Sequence, residues 1–181
     1  GHNETLRHLI KAKADIHQAD HNGFTPLMYA AQAGHVGVVQ LLVRAKASAA
    51  IDQHATNGTT AVARASESGH VQVLHLLVAA KAYGNHPDNT VGTTPVYWAA
   101  RQGHAGTLQI LVSTKANVHT TANNGEAPIH AAAAFGHPKT LRLLLDAKAD
   151  AKCRFGGRTA KELAAKNNES EVVQLLQQWK P

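Results

Sequence analysis

The 181-residue chain has one cysteine, one methionine and few aromatic residues, which make up 4% of it. Cys153 stands alone, so no internal disulfide can form and a secreted fold held by several disulfides is excluded. An intracellular, reducing compartment is therefore the expectation. Apolar runs are short, as at Ala131–Phe135. A helical membrane span needs about 20 consecutive apolar residues, so none is expected. With few aromatics, a core has to come from alanine, leucine and valine, which suits thin helices packed closely. Hydrophobic residues at 44% against 17% charged residues exclude a disordered chain.

Catalytic signatures are also missing. There is no Gly-x-Ser-x-Gly elbow and no Gly-x-x-x-x-Gly-Lys phosphate loop. No Cys-x-x-Cys occurs, and no His-x-x-x-His pair falls on a predicted helix. Thirteen histidines are present; five recur in the Gly-His pairs described below, and His17, His21, His54, His86 and His119 fall in loops between repeats. Cys153 lies in a predicted loop between Lys152 and Arg154, a setting that favours the thiolate. It would be a nucleophile only if a histidine met it in space. The expectation is a non-enzyme with no cofactor and no metal.

What the chain does have is repetition. Gly-His recurs at Gly1-His2, Gly34-His35, Gly69-His70, Gly103-His104 and Gly136-His137, at spacings of 33, 35, 34 and 33. Asn168-Glu169 follows after another 32 residues as a degenerate copy. Each copy precedes an apolar segment of one helical pattern, such as Val38-Val39-Gln40-Leu41-Leu42 or Val73-Leu74-His75-Leu76-Leu77. Upstream lies a second pattern: Asn22 to Leu27, Asn57 to Val62, Val91 to Val96, Asn124 to Ile129 and Gly156 to Lys161. There Asn-Gly marks a tight turn, and Thr-Pro reads as a helix N-cap followed by its first residue. The glycine of Gly-His then ends that helix.

Each unit is therefore turn, short helix, turn, second helix. Gly23-Phe-Thr-Pro-Leu-Met-Tyr-Ala-Ala-Gln-Ala-Gly-His35 resembles the ankyrin-repeat pattern Gly-x-Thr-Pro-Leu-His-x-Ala-Ala-x-x-Gly-His. Residues 125–137 match similarly and keep the motif histidine as His130, which the family uses to bond within its own turn. The resemblance covers essentially the whole chain. It implies an all-α solenoid, a stack of helix-turn-helix units joined by short β-hairpin-like loops. We expect a half repeat at 1–18, repeats at 19–53, 54–87, 88–120 and 121–152, and a capping unit at 153–181. The half repeat leads to a further expectation, that the chain is a fragment of a longer array or a subunit of an assembly.

One departure recurs. The family usually has glycine after the second helix, but lysine stands there at Lys13, Lys46, Lys81, Lys115 and Lys148, and Lys180 aligns with them. A non-glycine residue in the left-handed conformation costs about 1–2 kcal/mol. A cation at a helix C-terminus returns only about 0.3–1 kcal/mol. Duplication of one tolerant repeat is the simplest account; the alternative is a lysine ridge along one edge of the array that meets an acidic partner.

Function is expected on the surface. The resemblance implies a partner protein held by the hairpin tips and the concave face of the first helices. Tip positions among the expected contacts are Phe24, Glu126 and Arg158. Helix-end positions are Gln32, Glu67, Arg101, Gln102 and Phe135, and Tyr97 and Trp98 stand on the helix itself. Aromatic and arginine side chains dominate interface energetics, so Phe24, Tyr97, Trp98, Arg101 and Phe135 are the preferred anchors. The alternative is nucleic-acid or anionic-surface binding. Residues 139–166 carry eight cations against three acids, five of the six net positive charges. That stretch has Phe155 as its only aromatic residue, so a protein partner is preferred over nucleic acid.

Overall fold

Threonine before proline or alanine sets the start of most of the short helices. A computed structural model describes residues 3–45 and 51–179. The expectations placed on Gly1-His2, Lys46 and Lys180 lie outside those residues. After α1 (Asn3–Lys11) come five helix pairs. The first helix of each pair has seven residues: α2 (Pro26–Gln32), α4 (Ala61–Glu67), α6 (Pro95–Arg101), α8 (Pro128–Ala134) and α10 (Ala160–Lys166). The second has nine: α3 (Val36–Arg44), α5 (Val71–Ala79), α7 (Ala105–Ser113), α9 (Pro138–Asp146) and α11 (Ser170–Gln178).

The caps are those the pattern predicts. Thr25, Thr60 and Thr94 Oγ1 accept from the backbone N–H three residues on, at 3.1–3.3 Å. Ala61 in place of proline does not stop α4, because Thr60 still caps it. Thr159 and Glu162 form a reciprocal pair, with the Thr159 N–H donating to Glu162 Oε2 at 2.7 Å. Ala127 has no acceptor to offer. There His130 Nδ1 accepts from the Ala127 N–H at 3.1 Å and does the capping from inside the helix.

The helices stack in two rows. First helices pack in the order α2, α4, α6, α8, α10, and second helices in the order α1, α3, α5, α7, α9, α11. Leucines of the second row, among them Leu74, Leu77, Leu108, Leu111, Leu141 and Leu144, are fully buried. Each contributes about 1.5–3 kcal/mol of burial. Alanines of the first row, including Ala31, Ala65, Ala99 and Ala132, are buried as well and let those helices approach closely.

Neighbouring units are also joined through the Gly-His turns. His70, His104 and His137 donate from Nε2 to the carbonyls of Gln32, Glu67 and Arg101, each at 3.0 Å. Each acceptor is the last residue of the preceding first helix, so each histidine satisfies a carbonyl that helix leaves open. In the degenerate copy Asn167 does this, donating to Ala134 O at 2.8 Å. The glycine is required twice over. Gly69 has φ +74°, and a Cβ there would fall 2.7 Å from His104 Nδ1.

The loops are hairpin-like in their hydrogen bonds but form no strand among the described residues. Asp20 N donates to Phe24 O and Ala55 N to Thr59 O, and Phe155 and Arg158 make one isolated bridge. Backbone bonds link successive tips, from Thr56 N to Asn22 O, Asn89 N to Asn57 O and Asn123 N to Val91 O. The expected left-handed lysines are present: Lys13, Lys81, Lys115 and Lys148 have φ between +56° and +66°.

Candidate interaction face

The first-helix row and the hairpin tips place the expected anchors in two groups, with Tyr97, Trp98, Arg101 and Phe135 in one and Phe24 in the other. α6 and α8 carry the densest group. Tyr97 and Trp98 meet edge to face, with ring centroids 5.8 Å apart. The Arg101 guanidinium lies 5.8 Å from the Trp98 ring and 4.6 Å from the Phe135 ring of the next unit. Phe135 is 47% exposed and Trp98 half-buried. Tyr97 is buried, and its hydroxyl donates to Glu126 Oε2 at 3.0 Å, tying α6 to the following tip. Burial, with the nearby Glu126 charge, pushes the Tyr97 hydroxyl up to about 12. Tyr97 therefore offers little surface and instead positions Glu126.

A second group lies at the N-terminal end of the row. Phe24 packs 5.6 Å from Tyr29 and lies 5.1 Å beneath the Arg64 guanidinium. Arg64 pairs with Glu67 at 2.8 Å. Tyr29 is 52% exposed and donates to Asp20 Oδ2 at 2.7 Å. Tyr29 and Arg64 were not among the expected contacts. Arg64 occupies the register of Trp98, four positions into its helix, and that alignment was the available signal. Between the two groups is a notch of about 100 Å³, lined by Arg64, Glu67, Asp88, Thr93 and Trp98 among others. Gln32, Gln102 and Arg158 are exposed; Arg158 sits at the last tip.

A family model described as ankyrin repeats in three copies matches residues 1–88, 45–122, 81–154 and 96–180. The chain belongs to the ankyrin-repeat family. The matches overlap and span nearly the whole sequence, in agreement with the two-row stack. No curated protein matches the chain. Ankyrin repeats are protein–protein interaction modules.

The rest of the ankyrin-repeat surface is less concentrated. The eight cations of residues 139–166 are spread over α9, the loop after it, the last tip and α10. A larger groove of about 900 Å³ lies at the C-terminal ends of α9 and α11, lined by Leu145, Ala149, Leu176 and Trp179 with Lys148 and Lys161. It is remote in sequence and register from the aromatic–arginine group.

Two histidine meetings bear on chemistry. His54 and His86, from successive loops, stack with centroids 5.2 Å apart. Among the described residues no group of three or more His, Cys, Asp and Glu side chains is placed to hold a metal ion. Cys153 does meet a histidine: its Sγ lies 3.6 Å from His130 Nε2. His130 is not free to act as its base. Nδ1 accepts from Ala127 N, so Nε2 carries the proton and donates to Cys153 O at 3.0 Å. The expectation of a favoured thiolate at Cys153 is corrected here. Burial, with the Asp150 charge nearby, pushes the thiol up, and Sγ itself donates to Asp150 O at 2.9 Å.

Proposed function

We infer that the chain is a non-enzymatic scaffold, which captures a partner protein through its hairpin tips and first-helix row. The observation that carries this reading is the group of Trp98, Arg101 and Phe135. These side chains meet across two units, remain partly exposed, and lie outside the buried core of the stack. Aromatic and arginine side chains held in this way are favoured as binding hot spots. A prebuilt surface also lowers the ordering cost of association. The engaged nitrogens of His130 and the raised thiol of Cys153 support a role without catalysis. The lone cysteine supports an intracellular setting. A place in a larger assembly is supported by α1, which has no buried residue and leaves Leu9 47% exposed.

The test compares capture of a partner by the unaltered chain with two doubly substituted chains. Arg101→Ala with Phe135→Ala alters the first-helix row; His75→Ala with Gln109→Ala alters exposed positions of the second row. Capture should fall at least about tenfold for the first pair and stay unchanged for the second. Capture lost only with the second pair moves the function to the other row and defeats this reading.

A further inference from the structure

The last residues of the five first helices form a row along the stack: Gln32, Glu67, Arg101, Ala134 and Lys166. Glu67 and Arg101 are consecutive in it, and the fold treats them in opposite ways. Glu67 is already neutralised, because Arg64 Nη1 donates to its Oε2 at 2.8 Å. Arg101 has no such partner. Among the described residues no carboxylate lies within ion-pair reach of it, and no acceptor takes its side-chain N–H groups. Glu126, the acid of the neighbouring tip, is held by the Tyr97 hydroxyl.

Phe135 and Trp98 flank the Arg101 guanidinium but use none of its N–H donors. The side chain is half-buried and lies between those rings, so its charge is partly stripped of water. A guanidinium held by its faces still presents a planar fork of donors, whose best complement is a carboxylate bound through both oxygens. Immobilising the arginine beforehand lowers the cost of forming that pair. Beside it, the exposed Phe135 ring offers apolar surface. Beyond it, the row contains no acid and ends in Lys166.

We propose that Arg101 is the receptor for an acidic side chain of the partner protein, a carboxylate on its guanidinium with an adjoining apolar residue of the same segment on Phe135. The proposal rests on the partner-binding reading above and names the chemistry of what is bound. A nucleic-acid backbone fits less well. Its phosphates need a track of cations, and the positions on either side of Arg101 include Glu67, Asp88 and Glu126.

The experiment selects phage-displayed random short peptides on the immobilised full chain. Affinities of synthetic copies of the enriched peptides are then measured by fluorescence anisotropy. Circular dichroism confirms that Arg101→Gln, Arg101→Glu and Phe135→Ala remain folded. Enriched peptides should share Asp or Glu beside an apolar residue and lose about tenfold or more in affinity on Arg101→Gln. Selection on Arg101→Glu should turn to Lys or Arg in place of the acid. Enriched peptides that lack an acid, or acidic ones that bind Arg101→Gln unchanged, overturn the proposal and leave the partner-binding reading standing. No enrichment at all overturns both. Binding of a single-stranded oligonucleotide that Arg101→Gln abolishes, with no peptide enriched, assigns the arginine to phosphate and also overturns both.

Discussion

Arg101 rests on the next unit twice: its carbonyl accepts from His137 Nε2 at 3.0 Å, and its guanidinium lies 4.6 Å from the Phe135 ring centre. The first contact closes a helix end, whereas the second covers part of an exposed ring. The two should separate in stability measurements. Phe135→Ala and Arg101→Gln are each expected to cost no more than about 1 kcal/mol in urea unfolding. Leu108→Ala, at a fully buried position, should cost about 2–5 kcal/mol. A loss of that larger size from Phe135→Ala would place the ring in the core and remove it from the binding surface.

The Gly-His turns carry a coupled cost. At Gly69 alanine must hold a left-handed φ, at about 1–2 kcal/mol, and its Cβ also meets the His104 ring. Gly69→Ala should therefore destabilise by about 2–4 kcal/mol. His104→Ala alone should cost about 1 kcal/mol, through the lost bond to Glu67 O. The double variant should lose less than the sum, by at least about 0.5 kcal/mol, because the clash has gone. Strict additivity in thermal unfolding would show that the ring moves aside freely.

Most of the scaffold was legible because it depends on local chemistry repeated along the chain. Thr25, Thr60 and Thr94 cap the helices they precede, and lysines take the left-handed turns after several second helices. The site was legible only as a set of positions. Register placed Arg101 and Phe135 at the ends of first helices and Trp98 on the helix itself, but the stacking of Arg101 on Phe135 joins residues 34 apart in sequence. The burial of Tyr97 and its bond to Glu126, 29 residues away, depend on how two units meet. Local pattern carries no information about that. The Cys153–His130 approach was missed for the same reason, and only the full bonding of His130 shows that it is inert.

The left-handed lysines predict an easy gain in stability. Lys81, Lys115 and Lys148 are exposed, with φ of +66°, +61° and +65°. In each case the turn is closed by the following residue, whose N–H donates to a carbonyl in the last turn of the helix at 2.9–3.0 Å. Glycine keeps that backbone bond and removes the strain. Each Lys→Gly change should therefore add about 0.5–1 kcal/mol, after the small loss of a cation near a helix C-terminus. The three are about one unit apart, so their effects should add. A fall in melting temperature for the triple variant would mean that the lysine side chains hold the loops through contacts worth more than the strain.

Acid should loosen one particular tip. Asp88 accepts from Thr90 N at 3.0 Å, Thr90 Oγ1 at 2.6 Å, Val91 N at 2.8 Å and Thr93 N at 2.7 Å, and from the Thr93 hydroxyl. Burial alone would raise its carboxyl, but these donors outweigh burial and hold it at about 2, against an ordinary 3.8. A depressed carboxyl stabilises the fold fully above its unfolded value, and the benefit is lost as pH falls from about 3.8 toward about 2. The full shift corresponds to about 2 kcal/mol, and solvent screening at this largely open site reduces it to about 1 kcal/mol. Asp88→Asn should lose about that much at neutral pH and show a flatter acid limb when stability is followed by urea unfolding across the acidic range. The next unit's Asn123 N bonds to Val91 O in the same tip, so amide exchange at Val91, Thr93 and Asn123 should speed up first. An acid limb as steep in Asp88→Asn as in the unaltered chain would assign the acid sensitivity to another carboxylate.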